Sequence, residues 1–315
     1  MGNRGPNGST LQPPRRAARR GGAVVAGALI SPAPAGAAYS SVGTYGTTVN
    51  GDPADVYHPN TSSPHQPWPV VLLLQGANVG RANYAGFARK VASYGFVVVV
   101  PDHTRVIFGV PGLYADGAEA TWTVAWATAE NARTGSPLKG QIDTGTLLLT
   151  GHSFGGAAGL GLSTGLSTPP FTDVPVPAPA QLKAAAFYGT NNAVPGSPVI
   201  PPVANTIPVA LIQGAADGVG SPANGLGTYA VLQGVPKLYV SVAGANHYAI
   251  TDVQNPAGAR PDLSPQTLDQ ATGVEVVARW AALWLRAQLG DPVGCAWVYG
   301  LGDAVDAGVE TQFAR

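Results

Sequence analysis

Two short runs of almost purely apolar, mostly branched residues, Val70-Val71-Leu72-Leu73-Leu74 and Phe96-Val97-Val98-Val99-Val100, restrict the fold more than any other feature of the chain. Each is too short for a helix and lacks the alternation of a strand with one wet face, so each reads as a strand covered on both sides. Such a sheet needs helices, and the segment between the runs supplies one. Tyr84, Phe87, Ala88, Val91 and Ala92 recur at helical spacing over 83–94, and Gly95 stands where a helix ends. Two β-α units in succession imply a parallel sheet.

The pattern continues downstream. Residues 118–132 read as a helix, 146–150 as a strand followed by a helix from about Ser153, and 182–188, 209–212 and 237–242 as further strands. A last helix is expected from Pro265, behind Ser264, to Leu289 before Gly290. Ahead of all this, 45–49 and 54–57 flank Asn50-Gly51-Asp52-Pro53, a turn sequence that predicts a hairpin. Five prolines make 169–179 an irregular loop, and 104–117 reads as an irregular apolar stretch that either borders the cleft or packs as a plain loop. With no repeat and no long linker, the expectation is one α/β domain over 38–315: a doubly wound, mostly parallel sheet with an N-terminal antiparallel hairpin. Trp122 and Trp126, and Trp280 and Trp284, four apart on their helices, are expected in the core.

Of 315 residues, 45% are apolar and only 11% charged, and the formal net charge is zero, which disfavours nucleic acid or an anionic membrane as partner. The zero conceals an asymmetry. Arg4, Arg15, Arg16, Arg19 and Arg20 stand in an acid-free leader, so the remainder carries five more acids than bases. Behind the arginines come a Gly- and Ala-rich apolar run and then Ala35-Gly36-Ala37, a small-residue cleavage pattern, so 1–37 reads as an export signal and the protein as secreted or periplasmic. A disordered basic tail is the alternative, and the arginine pairs leave the export route open. No later stretch is long and apolar enough for a membrane span. The single cysteine, Cys295, has no partner for an internal disulfide and cannot build a thiolate metal cluster; it reads as a small buried side chain.

Gly151-His152-Ser153-Phe154-Gly155 matches G-x-S-x-G between a buried strand and a helix, the setting in which a serine is presented on a sharp turn as a nucleophile. Such a serine needs a base and an acid to orient it, in the chain order Ser, Asp or Glu, His. His58, His65 and His103 precede the serine and His152 is its neighbour, which leaves His247 as base. Between Ser153 and His247 the only acids are Asp173, in the proline-rich loop, and Asp217, just beyond the strand 209–212. Functional loops gather at the carboxyl ends of a doubly wound sheet, which selects Asp217. The oxyanion of the tetrahedral intermediate needs N–H donors. The residue after the nucleophile, Phe154, supplies one, and Ala77, in Gln75-Gly76-Ala77-Asn78 after strand 70–74, is the choice for the other, with Asn78 as a side-chain donor. Tyr188, Tyr248 and Phe154 are expected to form an apolar acyl-binding wall.

Gly151-His152-Ser153-Phe154-Gly155-Gly156 with the downstream Asp217 and His247 resembles the α/β-hydrolase superfamily. Within it, Gln75-Gly76-Ala77-Asn78, residues 92–99 and Gly244-Ala245-Asn246-His247-Tyr248 resemble the chlorophyllase and cutinase-like polyester hydrolase branch, a likeness that spans about residues 45–290. Gln75 stands where many relatives carry a histidine, and Phe154 where chlorophyllases carry a basic residue and polyester hydrolases a methionine. The expectation is an ester hydrolase that works through an acyl-enzyme without cofactor or metal, on a small or polymeric ester, with the oligomeric state open and a monomer favoured. Apolar acyl, lipid or polyester substrates are expected. Chlorophyllase, lipase, thioesterase or peptidase activity on the same fold stays open, as does a non-catalytic binding module.

Overall fold

The computed structural model describes residues 1–2, 39–61 and 66–315, and every element below lies in the body Pro32–Arg315. The export signal expected over 1–37 therefore falls, past its first two residues, outside the described residues. The hairpin forms as expected from β1 (Val42–Val49) and β2 (Asp52–Pro59), turning at Asn50-Gly51 with both residues at positive φ. Then follow β3 (Trp68–Leu74), α1 (Ala85–Ala92), β4 (Val97–Pro101), the small hairpin β5 (Thr104–Ile107) and β6 (Val110–Leu113), α2 (Glu119–Ala132), β7 (Ile142–His152) and α3 (Phe154–Ser163). After the short pair β8 (Leu166–Ser167) and β9 (Val176–Pro177) come β10 (Leu182–Tyr188), β11 (Val209–Gly214), α4 (Pro222–Val231), β12 (Lys237–Val242), α5 (Gln270–Gln288), α6 (Pro292–Ala296) and β13 (Val309–Ala314).

Nine strands make one sheet in the order β1-β2-β4-β3-β7-β10-β11-β12-β13. From β4 to β12 all pairings are parallel, while the hairpin at one edge and β13 at the other are antiparallel. The alternation within a buried strand sorts its side chains into two cores. Val71 and Leu73 point into the layer holding α1 and α5, and Val70, Leu72 and Leu74 into the layer holding α2 and α3. Trp280 and Trp284 lie fully buried in the first layer, where Trp284 Nε1 donates to the carbonyl of Ala185 in β10 at 2.9 Å. Truncating either to alanine removes roughly 3–5 kcal/mol of packing.

Three elements differ from the sequence reading. The stretch 104–117 is not irregular: Thr104–Leu113 folds as the β5–β6 hairpin about Phe108-Gly109. The last helix starts at Gln270 instead of Pro265, because the Asp269 side chain accepts from Thr272 N–H at 3.0 Å and caps it there, leaving 243–269 as loop. A strand, β13, pairs with β12 along its whole length and covers that sheet edge.

β3 leads through α1 to β4 on one side, whereas β7, its neighbour on the other side, leads into α3 on the opposite face. The carboxyl ends of β3 and β7 thus flank a topological switch point, where open α/β sheets form their crevice.

Candidate active site

β7 ends at His152, and the chain turns at once into α3 through Ser153, whose φ of 53° and ψ of −116° lie outside the regions a side chain favours. Two glycines permit this. A Cβ on Gly155 would lie 2.1 Å from the Leu74 carbonyl oxygen, and one on Gly151 would lie 2.9 Å from the Gly155 oxygen. Ser153 N–H donates to the carbonyl of Tyr188 at 2.9 Å, which locks the turn to the end of β10.

Asp217 and His247 come together as expected. His247 Nδ1 lies 3.0 and 2.9 Å from Asp217 Oδ1 and Oδ2, and both residues are buried. Asp217 Oδ1 also accepts from the N–H groups of Val219 and Gly220, and Oδ2 from Gln213 Nε2 at 2.9 Å, so the carboxylate is fully engaged. With Nδ1 facing a carboxylate, that nitrogen carries the proton and Nε2 is the basic one. Gly189, at φ 61°, leaves space over the pair, since a Cβ there would sit 3.1 Å from both Asp217 Oδ2 and His247 Nδ1. Asp173 takes no part: its exposed carboxylate meets Arg105 Nη2 at 2.8 Å. His58 bonds the Pro59 carbonyl and His103 bonds Asp52, while His65 lies outside the described residues.

Phe154 N–H opens α3 and Ala77 N–H follows β3, and neither has a hydrogen-bond partner among the described residues. Asn78, expected as a side-chain donor, is held by the β5–β6 hairpin through its main chain and its Oδ1. Its backbone, at φ 58°, and its side chain both hold Leu113, with Asn78 N–H donating to the Leu113 carbonyl at 2.8 Å and Oδ1 accepting from Leu113 N–H at 3.0 Å. It fastens the β5–β6 hairpin to the loop after β3.

The tyrosine wall is a correction. Tyr188 is buried in the core with its hydroxyl donating to the Asn246 carbonyl at 2.5 Å, and Tyr248 is buried with its hydroxyl on the Arg260 carbonyl and its ring edge-on to His247. Burial pushes both phenols up, Tyr248 to about 12. A phenol at the end of a central strand satisfies its hydroxyl on the nearest carbonyl, here that of the residue before His247. The aromatic surface beside Ser153 comes from elsewhere: Phe154 packs between Tyr114 and Phe171, each 5.5 Å away between ring centres, and all three are partly exposed.

Phe171 and Asp262 escaped the sequence reading. Phe171 sits inside a proline-rich loop with no periodicity, and Asp262 in Pro261-Asp262-Leu263-Ser264-Pro265 carries only the signature of a local turn, in which Ser264 N–H donates to Oδ1.

Comparison with known proteins is consistent with this geometry. A family model described as Chlorophyllase matches residues 50–186, a stretch that contains the loop after β3, Ser153 and most of β10. No curated protein matches the chain. No helix among the described residues is long and apolar enough to cross a membrane. Its large, mostly parallel sheet and strand-to-helix serine give the chain an α/β-hydrolase type of fold, and over residues 50–186 it is similar to the chlorophyllases, a family of ester hydrolases within that superfamily.

Proposed function

We propose that the chain is an exported serine esterase in which Ser153, His247 and Asp217 form the catalytic triad. His247 Nε2 takes the Ser153 proton as Oγ adds to the ester carbonyl, and Asp217 holds the imidazole and the charge it gains. The N–H groups of Ala77 and Phe154 stabilise the oxyanion. The imidazolium returns its proton to the departing alcohol, and water, deprotonated by the same nitrogen, releases the acid and restores the serine. The observation that carries this reading is the Asp217–His247 contact, with its members beyond the ends of β11 and β12 and Ser153 beyond β7.

The substrate reading is an apolar acyl ester, a lipid or a polyester, supported by the Tyr114, Phe154 and Phe171 rings around the serine and by low surface charge. Export rests on the leader 1–37, and a monomer is the favoured state. The test is hydrolysis of a p-nitrophenyl ester series from acetate to decanoate, beside a polyester film and chlorophyll. Ser153→Ala is expected to lower turnover by about 10⁴-fold or more with the fold intact, and a fluorophosphonate to label Ser153 alone. Wild-type turnover in folded Ser153→Ala protein would refute the mechanism.

A further inference from the structure

No helix or strand carries His247: the chain from residue 243 to 269 is loop. Something else must fix its imidazole, and both polar groups of its main chain are taken by buried side chains. His247 N–H donates to Asp262 Oδ2 at 2.9 Å, and the His247 carbonyl lies 2.9 Å from His152 Nε2.

Each side chain reaches on to another part of the site. A carbonyl only accepts, so His152 Nε2 carries the proton and Nδ1 is the acceptor. Nδ1 lies 2.9 Å from the Tyr84 hydroxyl, which donates to it and accepts from Gly76 N–H at 2.9 Å, one residue before Ala77. The fit is close, since a Cβ on Gly76 would lie 2.7 Å from His152 Nδ1. On the other side, Asp262 Oδ2 also accepts from Gly218 N–H at 3.1 Å, next to Asp217, and Asn255 holds the Asp262 backbone at both N–H and carbonyl. The main chain of His247 is thereby joined to the loop after β3 through His152 and Tyr84, and to the Asp217 loop through Asp262.

We propose that Asp262 and the Tyr84–His152 pair are positioning residues that clamp the peptide of His247 from both sides and set the imidazole relative to Ser153, Asp217 and the Ala77 N–H. The inference rests on the triad reading. The groups facing His247 are the Asp217 and Asp262 carboxylates, the neutral His152 ring at 4.7 Å, and Tyr248 at 5.2 Å, itself under the influence of Arg260. Asp262 ties His247 to the Asp217 loop through Gly218 N–H, whereas the Tyr84–His152 pair ties it to the loop after β3 through Gly76 N–H. The two halves of the clamp can therefore be tested separately.

The test is kcat and KM on p-nitrophenyl butyrate between pH 5 and 9 for Asp262→Asn, Tyr84→Phe, His152→Gln and the Tyr84→Phe/His152→Gln double variant, each with its melting temperature. Misplacing a base by a fraction of an ångström lowers kcat roughly 10- to 100-fold with KM little changed, and this is expected of each single variant. The loss is expected in kcat throughout this pH range for both Asp262→Asn and Tyr84→Phe. Because Tyr84 acts through His152, the double variant is expected to be no slower than the His152 single variant by more than about twofold. Wild-type kcat in Tyr84→Phe or in Asp262→Asn, or full multiplication of the Tyr84 and His152 effects, would overturn the proposal. Should Asp262→Asn fail to fold, Tyr84→Phe, which removes a single oxygen, decides alone. An active Ser153→Ala protein would instead defeat the triad, whereas an inactive one beside a fully active Tyr84→Phe defeats the clamp only.

Discussion

The segments that follow β11 and β12 and the segments that follow β4 and α3 both border Ser153, and they are held in opposite ways. Around Asp217 and His247 the hydrogen bonds end on the two residues themselves: Gln213, Val219 and Gly220 on the carboxylate, Asp262 and His152 on the His247 peptide. In the β5–β6 hairpin and the 165–179 loop the polar bonds lie behind the aromatic rings. There Arg105 meets Ala115 and Asp173, and Asp116 accepts from Thr172 and Asp173, while Tyr114, Phe154 and Phe171 touch one another only through their faces and edges. A base must be kept within a few tenths of an ångström, which directional bonds achieve. An acyl chain needs only a surface that excludes water, which rings provide. The polar region thus meets what the proposed reaction requires, and the aromatic region what the proposed acyl substrate requires.

The two acids of the chain between Ser153 and His247 probe that contrast most strongly, as one lies in each region. Asp217→Asn is expected to lower kcat by about 10³- to 10⁴-fold through loss of the imidazole's tautomer and charge support. Asp173→Asn gives up one exposed bond to Arg105, which keeps Ala115 and Asp116, and is expected to change kcat less than about threefold and stability by less than about 1 kcal/mol. Steady-state kinetics on a short ester and thermal melts of both variants check this, and equal losses would break the division.

Next in size is the aromatic region. Phe171→Ala or Tyr114→Ala removes apolar area beside the serine, so kcat/KM on p-nitrophenyl octanoate is expected to fall about tenfold while acetate changes less than about threefold. Tyr188→Phe offers the control. It breaks the bond to Asn246, next to His247, and is expected to slow acetate and octanoate by the same factor. A chain-length-dependent loss in Tyr188→Phe, or a uniform one in Phe171→Ala, would reverse the assignment of the two regions.

A smaller effect concerns pH. Burial holds His152 neutral, well below the usual histidine range, with the nearby His247 acting in the same direction. The unfolded chain takes up a proton at this residue below about pH 6.5 and the folded chain does not, so the residue costs nothing above that pH. As pH falls below it, stability is lost at about 1.4 kcal/mol per unit until the folded ring itself protonates. His152→Gln removes this part of the slope. Melts of both proteins between pH 5 and 8 are expected to diverge below about 6.5, and parallel curves would show that His152 is charged in the folded state.

Much of this was legible in the sequence because it rests on local rules. Buried strands read as unbroken apolar runs, the glycines around Ser153 follow from the turn they must make, and Asp217 and His247 stand a few residues past apolar strands. What could not be read depends on partners distant in the chain. Tyr84 and His152 are 68 residues apart, and nothing local to Tyr188 or Tyr248 distinguishes a phenol that faces substrate from one that closes on a carbonyl. The helix over 265–289 was misplaced at its start because Ser264-Pro265 and Asp269 are both acceptable caps, and Ser264 is instead drawn to Asp262 and Asn246.

The smallest effect tests how far the aromatic region extends. Phe108 and Gly109 form the two-residue turn of the β5–β6 hairpin, both at positive φ, and Val106, Phe108 and Val110 are exposed, Phe108 by 89%. Such turns favour Asn-Gly, and a phenylalanine there gives up backbone stability without burying its ring. Phe108→Asn is therefore expected to stabilise the protein by about 0.5–1 kcal/mol, seen as a melting temperature higher by roughly 1–3 °C. An unfavourable backbone is kept where function uses the side chain. If the ring continues the surface formed by Tyr114, Phe154 and Phe171, the stabilised variant loses about two- to threefold in kcat/KM on octanoate and nothing on acetate. A stabilised variant with wild-type rates on both esters would end the aromatic region at Tyr114.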